Sequence, residues 1–460
     1  MYKALQEDPF ETSTTPTISL VVPMEIICQG SIKGLVTSDG VSPVEGVQVS
    51  LASSEPNNIS FDPDPAITNE NGEYTANVNV IPSTPETVVT FIASTEVNNT
   101  PISDTQFTVA GCETLPETIY VTNESSNNVS AIDGDTNMLI TTLPTQNFPI
   151  NLAITPDGSF VYIPNFNSAS VSVVRVSDNT LVDTITVQGG SQNLVINPNG
   201  RFVYVYNIDA SSVSVIRVSD NTVIKTIGIG KGNRGNVYRN IAITPDGQFV
   251  YVTNTADSTV SVIRTSDNTL IGTVIVDTSP LSVASTPNSE FVYVVTAFGP
   301  INVIRTSDQT VIETINVGLN PQNLAITPDG AFVYVIGNSI FINVIRTSDN
   351  TNFANIELTR ANFETDIVIS PSSDFVYVTS NQVFVAFGAL NVIDVASNTV
   401  IKQLSLADSP QRLAINTDGS RVYVSNSNPD IVEVIQTSDN TLLTSVNAGG
   451  NGARAIAVTP

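Results

Sequence analysis

The chain has 460 residues, of which 41% are hydrophobic and only 13% are charged, and it contains 26 Gly and 26 Pro. This composition is typical of a turn-rich all-β protein with two or three domains, and it excludes a disordered chain because Val, Ile and Tyr are abundant enough to build cores. The formal net charge of −26 repels phosphate backbones and anionic lipids, so we expect no nucleic-acid binding and no membrane insertion.

Histidine is absent from the sequence, and so is tryptophan. Without histidine the chain lacks the usual general base near neutral pH, the commonest zinc and haem ligand, and the central member of a Ser-His-Asp triad. This leaves carboxylate chemistry or no chemistry. We therefore predict that the protein is not an enzyme, and we assign no catalytic, cofactor-binding or metal-ligating residue.

Residues 1–17 form an acidic arm with Thr and Pro and without turn signals. The start, MYKALQEDPF, lacks the basic and then apolar pattern of a signal peptide, so none is visible. We interpret the arm as a disordered tail. The alternative is an extended strand that adds to a neighbouring subunit's sheet and builds a filament.

Residues 18–112 show about seven short strands at turn-punctuated spacing, which is the size of an immunoglobulin-like (Ig-like) β-sandwich. The segments Pro-Val-Glu-Gly-Val-Gln-Val at 43–49 and Asn-Glu-Asn-Gly-Glu-Tyr-Thr at 69–75 resemble those of bacterial Ig-like domains. A sandwich of the carboxypeptidase-regulatory type is the alternative. Both resemblances imply a binding or spacer module.

The two cysteines, Cys28 and Cys112, bracket this N-terminal segment. A disulfide between them would contribute about 4–5 kcal/mol in the chain-entropy model. Two buried, unpaired thiols and pairing between subunits are the alternatives.

Residues 113–460 repeat one unit eight times. The tripeptide Val-Tyr-Val and its close variants recur at spacings of 41 to 47 residues, which is the length of a four-stranded propeller blade. In one copy, a first strand ends at a Pro-Asp-Gly turn at 245–247, the tyrosine strand follows at 249–252, and a Ser-Asp-Asn-Thr turn at 266–269 precedes the fourth strand. The repeated tyrosines are Tyr120, Tyr162, Tyr204, Tyr251, Tyr293, Tyr334, Tyr377 and Tyr423.

The repeat array is offset by one strand. It opens on a second strand at 119–123 and ends on a lone first strand that contains Ala455, Ile456, Ala457 and Val458. We predict that this last strand completes the first blade in a three-plus-one closure of the ring, which removes an unpaired edge. Eight copies predict an eight-bladed β-propeller, and seven blades is the alternative if one copy is a non-blade insertion.

These repeats resemble the YVTN family of β-propellers. The motif is present at 120–123 and 251–254, and Ile-Thr-Pro-Asp-Gly turns occur at 154–158, 243–247 and 326–330. The resemblance covers about three quarters of the chain. It implies a scaffold of the kind found in surface-layer and some periplasmic proteins. It does not imply a particular reaction.

Three features of the sequence are weighed as ligand sites. The acidic pairs Asp62/Asp64 and Asp133/Asp135 could contribute to a calcium site, but turn chemistry explains both. The glycine-rich stretch at 228–236 is interpreted as a blade connection, since it lacks the ending of a phosphate loop. Arginines at one repeated position are interpreted as local ion-pair partners of the aspartate three residues later. They are Arg175, Arg217, Arg264, Arg305 and Arg346.

The sequence therefore predicts an extracellular or cell-surface structural protein, such as an S-layer component, adhesin or appendage filament. The propeller would serve as an interaction scaffold, and the arm could join subunits. Self-association, other surface proteins and glycans are the expected partners, and no cofactor is expected. The alternative is a glycan-binding or glycan-cleaving propeller that uses carboxylates at the mouth of its channel.

Overall fold

The computed structural model describes residues 117–232, 240–318, 320–358, 363–381 and 387–460, together with shorter stretches between residues 17 and 112. The chain divides into two compact units, Met1–Leu115 and Pro116–Pro460. Every regular element within these described residues is a β-strand, so the all-β prediction is confirmed.

The first unit contains nine described strands that are joined into one hydrogen-bonded sheet. They are β1 (Thr17–Ile18), β2 (Glu25–Ile27), β3 (Gln29–Thr37), β4 (Gln48–Ser53), β5 (Ile59–Asp62), β6 (Ala66–Ile67), β7 (Glu73–Val80), β8 (Thr84–Val97) and β9 (Thr100–Cys112).

The sheet of the first unit runs in the order β5-β7-β3-β2-β9-β8-β4-β6, and β1 pairs with β3. All of its pairs are antiparallel except β2 with β9. The hairpin of β8 and β9, with strands of 14 and 13 residues, is longer than the short strands expected from the sequence.

The second unit is a β-propeller built from eight four-stranded antiparallel sheets of described residues. The first sheet combines β10 (Thr118–Asn123), β11 (Asn128–Asp133) and β12 (Met138–Pro144) with β41 (Ala453–Val458).

Each of the other seven sheets is formed by four consecutive strands. They are β13 (Ala153–Ile154), β14 (Phe160–Asn165), β15 (Ser170–Arg175), β16 (Thr180–Thr186); β17 (Ser191–Ile196), β18 (Phe202–Asn207), β19 (Ser212–Arg217), β20 (Thr222–Gly228); β21 (Ile241–Ile243), β22 (Phe249–Asn254), β23 (Thr259–Arg264), β24 (Thr269–Ile275); β25 (Pro280–Ser285), β26 (Phe291–Thr296), β27 (Pro300–Arg305), β28 (Thr310–Asn316); β29 (Pro321–Ile326), β30 (Phe332–Gly337), β31 (Phe341–Arg346), β32 (Thr351–Glu357); β33 (Phe363–Ile369), β34 (Phe375–Asn381), β35 (Gly388–Asp394), β36 (Thr399–Leu406); and β37 (Pro410–Ile415), β38 (Arg421–Ser427), β39 (Asp430–Gln436), β40 (Thr441–Asn447).

The first strand of each set, together with β41, forms the inner layer of the ring. Each inner strand contacts the next one in order, and β13 contacts β41, so the layer returns to its start. The last strand pairs antiparallel with β10, with Ile119 opposite Val458 and Val121 opposite Ile456. A single chain segment therefore joins the end of the ring to its beginning.

Turn chemistry sets the ends of the strands. In the Pro-Asp-Gly turns, Gly158 and Gly247 adopt φ of 71° and 70°, a region that costs glycine little because it has no Cβ. Thr155 Oγ1 donates to the carboxylate of Asp157 at 2.6 Å and accepts the amide of Phe160 at 3.0 Å, which fixes the start of the next strand. The Ser-Asp-Asn-Thr turns place their Asn in the left-handed region, as at Asn179 with φ of 50°.

The repeated tyrosine links neighbouring sheets. Seven of these tyrosine hydroxyls donate to the side-chain oxygen of the residue with positive φ in the turn of the next sheet, as Tyr204 does to Asn268 at 2.7 Å. The eighth, Tyr423, donates to Glu117, which reaches over from the start of the first sheet. All eight side chains are fully buried, and burial raises the pKa of each hydroxyl; for Tyr251, Tyr293 and Tyr377 it rises to about 12.

The variant Tyr204→Phe is expected to lower the free energy of unfolding by about 1–2 kcal/mol, because it leaves the nearly buried Asn268 oxygen without its donor. Tyr206 on the same strand is a matched control, since its buried hydroxyl has no hydrogen-bond partner. Tyr206→Phe should therefore leave stability unchanged or raise it. Urea denaturation followed by circular dichroism measures both, and equal losses in the two variants would contradict the interpretation.

Candidate functional site

A ring of polar side chains runs around most of the inner layer, with one contributing position in seven of the eight described sheets; in β41 this position is Ala455. Asn151 Nδ2 donates to Asn193 Oδ1, and Asn193 Nδ2 donates to Asn240 Oδ1 at 3.1 Å. The Oδ1 atoms of Asn151 and Asn193 also accept the amide of the following residue, in both cases at 2.9 Å. These amides therefore tie three neighbouring inner strands together at one level of the ring.

In the following sheets the equivalent positions carry different polar side chains, which are also linked by hydrogen bonds. Ser282 Oγ donates to Asn323 Oδ1 at 3.0 Å, and Asn323 Nδ2 donates to Asp366 Oδ1 at 3.1 Å. The second oxygen of Asp366 accepts the amide of Leu413 at 3.0 Å. Asp366 is only 1% exposed, so its carboxylate is held inside this polar ring and is not open to solvent.

Charge is concentrated where the propeller closes. Arg412 occupies the ring position of its sheet, and its guanidinium donates to the carbonyl of Thr365 at 3.3 Å. Arg454, one residue before the ring position of β41, forms an ion pair with Glu124, which directly follows β10. We call Glu124, Asp366, Arg412 and Arg454 the charged cluster.

The charged cluster is open to solvent in part, because the side chains of Arg454 and Glu124 are 20% and 21% exposed. Glu124 is also the one acidic residue at its position in the repeat. The other seven sheets carry Phe166, Ile208, Thr255, Ala297, Asn338, Asn381 and Ser427 there. The inner strands begin, and the second strands end, at the same face of the propeller. The cluster therefore lies at that face of the propeller.

Glu433 is a second acidic departure from the repeat, on the third strand of the last sheet. It is 4% exposed and replaces the serine found at 130, 172, 214 and 261. Burial raises the pKa of this carboxyl, although Asn426 Nδ2 donates to it at 2.9 Å and the Ala407 amide at 3.1 Å. Through these contacts the buried Glu433 side chain joins its own sheet to the segment that follows β36.

The five predicted Arg–Asp pairs are confirmed as local ion pairs on the propeller surface. The Arg175 guanidinium lies 2.7 Å from the Asp178 carboxylate, and the other four pairs repeat this geometry. Hydrogen bonds from the arginines lower the pKa of Asp178, Asp308 and Asp349 to about 2. Each arginine is thus satisfied within its own turn, so the five do not form an anion-binding circle.

The remaining sequence-based candidates lie in different settings. Ala455, Ile456, Ala457 and Val458 all belong to β41, opposite β10. Cys28 and the side chain of Cys112 fall outside the described residues, so the disulfide stays a prediction. Asp133 Oδ1 accepts the Thr136 amide at 2.7 Å and the Asp135 amide at 3.1 Å, which is turn chemistry.

The glycine-rich stretch at 228–236 is described as far as residue 232. Lys231 donates its amide to Asp257 at 2.6 Å, and Gly232 lies against Tyr206 so closely that a Cβ would come within 1.9 Å of the hydroxyl oxygen. The second half of the stretch falls outside the described residues.

No group of three or more His, Cys, Asp or Glu side chains that could hold a metal ion occurs among the described residues. None of the described residues forms a helix long and apolar enough to cross a membrane.

Comparison with known proteins gives one family match. The family model described as "Lactonase, 7-bladed beta-propeller" matches residues 112–225 and 181–274. No curated protein matches the sequence.

Several solved structures share the fold. The dihydro-heme d1 dehydrogenase NirN has a TM-score of 0.62 at 14% identity, covering 74% of this chain and 74% of NirN. Apo AztD from Citrobacter koseri has a TM-score of 0.56 at 14% identity, covering 75% and 97%. A functionally unknown protein from Desulfotomaculum acetoxidans has a TM-score of 0.53 at 18% identity, covering 74% and 98%. These likenesses support the β-propeller fold.

The family match corrects one sequence-based prediction. We predicted that the protein is not an enzyme, chiefly because it lacks histidine. The matching family is named for lactonases, which are enzymes. The prediction was wrong because the absence of histidine leaves carboxylates and guanidinium groups available, and the charged cluster contains both.

Proposed function

We propose that the propeller is a hydrolase that opens a cyclic ester of a sugar acid at the mouth of its central channel. The observation that carries this proposal is the charged cluster, which sets a part-exposed carboxylate beside a part-exposed guanidinium where the ring closes. The match to a lactonase family model supports the reaction class. The proposal takes up the carboxylate chemistry that the sequence left as an alternative.

In this mechanism Glu124 is the catalytic base. It accepts a proton from a water molecule, the water oxygen adds to the carbonyl carbon of the lactone, and negative charge develops on the carbonyl oxygen. Arg454 and Arg412 stabilise that charge, since a guanidinium offers several donors in a fixed plane. The ring C–O bond then breaks, and the leaving alkoxide takes up the proton, which gives a hydroxy acid.

Asp366 is a positioning residue in this account. Its oxygens bind Asn323 Nδ2 and the Leu413 amide, so it fixes the backbone next to Arg412. The net charge of −26 gives the surface a field that repels the carboxylate product after ring opening.

Glu124→Gln is expected to lower kcat for D-glucono-δ-lactone by about 10²–10⁴-fold, the usual contribution of a general base. Gln keeps the shape of the side chain and a hydrogen bond to Arg454 but does not accept the proton. Base uptake in a pH-stat, corrected for spontaneous hydrolysis, measures the rate. Glu313→Gln is the matched control, because Glu313 is exposed on the outer strand β28 and should leave kcat unchanged.

Two results would overturn the proposal. One is a wild-type rate no higher than spontaneous hydrolysis for D-glucono-δ-lactone and D-galactono-lactones. The other is a Glu124→Gln variant with wild-type kcat.

Asp366→Asn serves as a fold-preserving companion, since Asn fills this ring position in four other sheets; it should raise KM with a smaller change in kcat.

The finer features of the architecture are part of the same proposal. We propose that the eight sheets form an eight-bladed YVTN-type ring, one blade more than the name of the matched family states. For the first unit we propose an Ig-like spacer module.

Calcium binding, self-association and an extracellular or cell-surface location, including S-layer, adhesin or filament roles, remain proposals from the sequence. Electron microscopy of native material that shows a lattice or filaments would support them, and a strictly monomeric species at high concentration would count against the assembly.

A further inference from the structure

A shallow groove opens on the sheet formed by β29 to β32, away from the charged cluster. Its volume is about 420 Å³. The walls come from residues 317, 318 and 320 before β29, the turn between β30 and β31, and one face of β31 and β32. The side chains and backbone that matter most are Gly318, Asn320, Asn338, Phe341, Asn343 and Asn355.

This groove exists because its sheet departs from the repeat. In the sheets of β14 and β18 an Asn at the end of the second strand fills this corner; Asn165 Nδ2, for example, donates to Ser170 Oγ at 3.1 Å and Ser172 Oγ at 3.0 Å. Gly337 replaces that Asn, and the carbonyl oxygen of Asn320 lies 2.1 Å from where a Cβ would stand. The backbone of Asn320 and Pro321 therefore occupies the place of the missing side chain.

The two serines have changed as well. Phe341 takes the position of Ser170 and Asn343 that of Ser172. With no second-strand Asn to bond, Asn343 Nδ2 donates across the sheet to Asn355 Oδ1 at 2.7 Å. The side chain of Phe341 is 40% exposed. Gly337, Phe341 and Asn343 replace the residues that form the internal hydrogen bonds in other sheets. Together they leave an open groove with an aromatic ring at its edge.

The lining has a definite chemistry. It combines one exposed aromatic ring with four asparagine amides, each of which offers donors and an acceptor, and none of the described lining residues is charged. An aromatic face packs well against the C–H face of a pyranose ring, and amides pair with its hydroxyl groups. The net charge of −26 disfavours an anionic ligand in a groove without a cation.

We propose that this groove is a binding subsite for a neutral carbohydrate, with the ligand's ring on Phe341 and its hydroxyl groups on the surrounding asparagines. It is a site distinct from the charged cluster, and it goes beyond the proposed hydrolase activity. A sugar held here would give the protein affinity for a glycan whether or not the channel mouth cleaves an ester.

Saturation-transfer NMR tests this inference with methyl glycosides of glucose, galactose, mannose and N-acetylglucosamine, none of which contains an ester. Wild-type protein should transfer saturation to at least one of them. Phe341→Ser restores the residue of other sheets and should therefore fold, and it should weaken that transfer at least tenfold. Phe353→Ser is the matched control, because Phe353 is exposed on the same sheet but packs on Phe332 and the Arg346 guanidinium outside the groove.

The inference fails if no neutral sugar receives saturation from the wild-type protein, or if Phe341→Ser binds as well as the wild type. It also fails if Phe353→Ser loses binding to the same extent, since the loss would then reflect the sheet as a whole. Because the probes cannot be hydrolysed at an ester, a protein without lactonase activity could still confirm the groove, and an active lactonase could still refute it.

Discussion

Above pH 10 the protein is expected to lose stability steeply and to unfold cooperatively before its repeated tyrosines ionise in the folded state. The eight tyrosine hydroxyls of the propeller are buried and hydrogen-bonded to the next sheet or to Glu117. Burial raises their pKa from 10.0, to about 12 for Tyr251, Tyr293 and Tyr377. An unfolded chain ionises these groups near pH 10, whereas the folded chain resists ionisation.

The direction in which the free energy of unfolding changes with pH follows from proton linkage. A pKa that is raised in the folded state adds stability that is complete below the unfolded pKa and is lost as the pH rises through the folded value. Each fully linked tyrosine changes the free energy of unfolding by about 1.4 kcal/mol per pH unit, so eight acting together change it by about 11 kcal/mol per unit. Over about one pH unit, this loss is comparable to the whole free energy of unfolding of an ordinary domain, which is about 5–15 kcal/mol.

An alkaline titration monitored by both tyrosinate absorbance and far-ultraviolet circular dichroism measures this effect. The two signals should change together in one narrow transition between pH 10 and 12. Gradual ionisation near pH 10 with unchanged dichroism would contradict the burial of the eight repeated tyrosines. The Tyr204→Phe variant should retain the transition with a slightly smaller slope.

Removal of residues 453–460 is expected to destabilise the entire propeller rather than one sheet. Without β41, the strand β10 loses the partner of Ile119, Tyr120 and Val121 and becomes an exposed edge. The inner layer also loses the segment that contacts both β13 and β37. The expected outcome is a chain that aggregates or is digested by protease throughout residues 117–460.

A point variant tests the same closure without shortening the chain. Ile456 is 8% exposed and packs with Ile119, Val121 and Tyr423, so Ile456→Asp should cost about 3–5 kcal/mol by burying a carboxylate in an apolar cluster. Ile224→Asp is the control, because Ile224 is 39% exposed on the outer strand β20 and should change stability by less than about 0.5 kcal/mol. Comparable losses of unfolding free energy in the two variants would mean that β41 is not required to close the ring.

Most of the propeller could be predicted from the sequence because each sheet repeats the same turn and strand chemistry. The Pro-Asp-Gly and Ser-Asp-Asn-Thr turns set strand ends locally, so their spacing alone indicates a four-stranded unit. The sequence did not show why tyrosine recurs. Its hydroxyl binds a residue 57 to 64 positions later, in the turn of the next sheet, and that contact exists only after the sheets pack.

The candidate sites were harder to predict, and for a physical reason. Glu124 and Arg454 are 330 residues apart in the chain and meet only because β41 closes the ring. Asp366 and Arg412 are visible as departures from Asn once the inner strands are aligned, which is the signal that could have found them. In the groove, Gly337 looks like ordinary divergence of the repeat. Only the structure shows that the backbone of Asn320 occupies the space of the missing side chain.

The most direct test of the central claim is a crystal structure of the protein with D-glucono-δ-lactam, in which an NH group replaces the ring oxygen of the ester. The lactam is expected at the mouth of the channel, with its carbonyl oxygen within hydrogen-bond distance of the Arg454 or Arg412 guanidinium and its carbonyl carbon facing Glu124. A lactam bound elsewhere on the propeller, or a charged cluster that stays empty at saturating lactam, would contradict it.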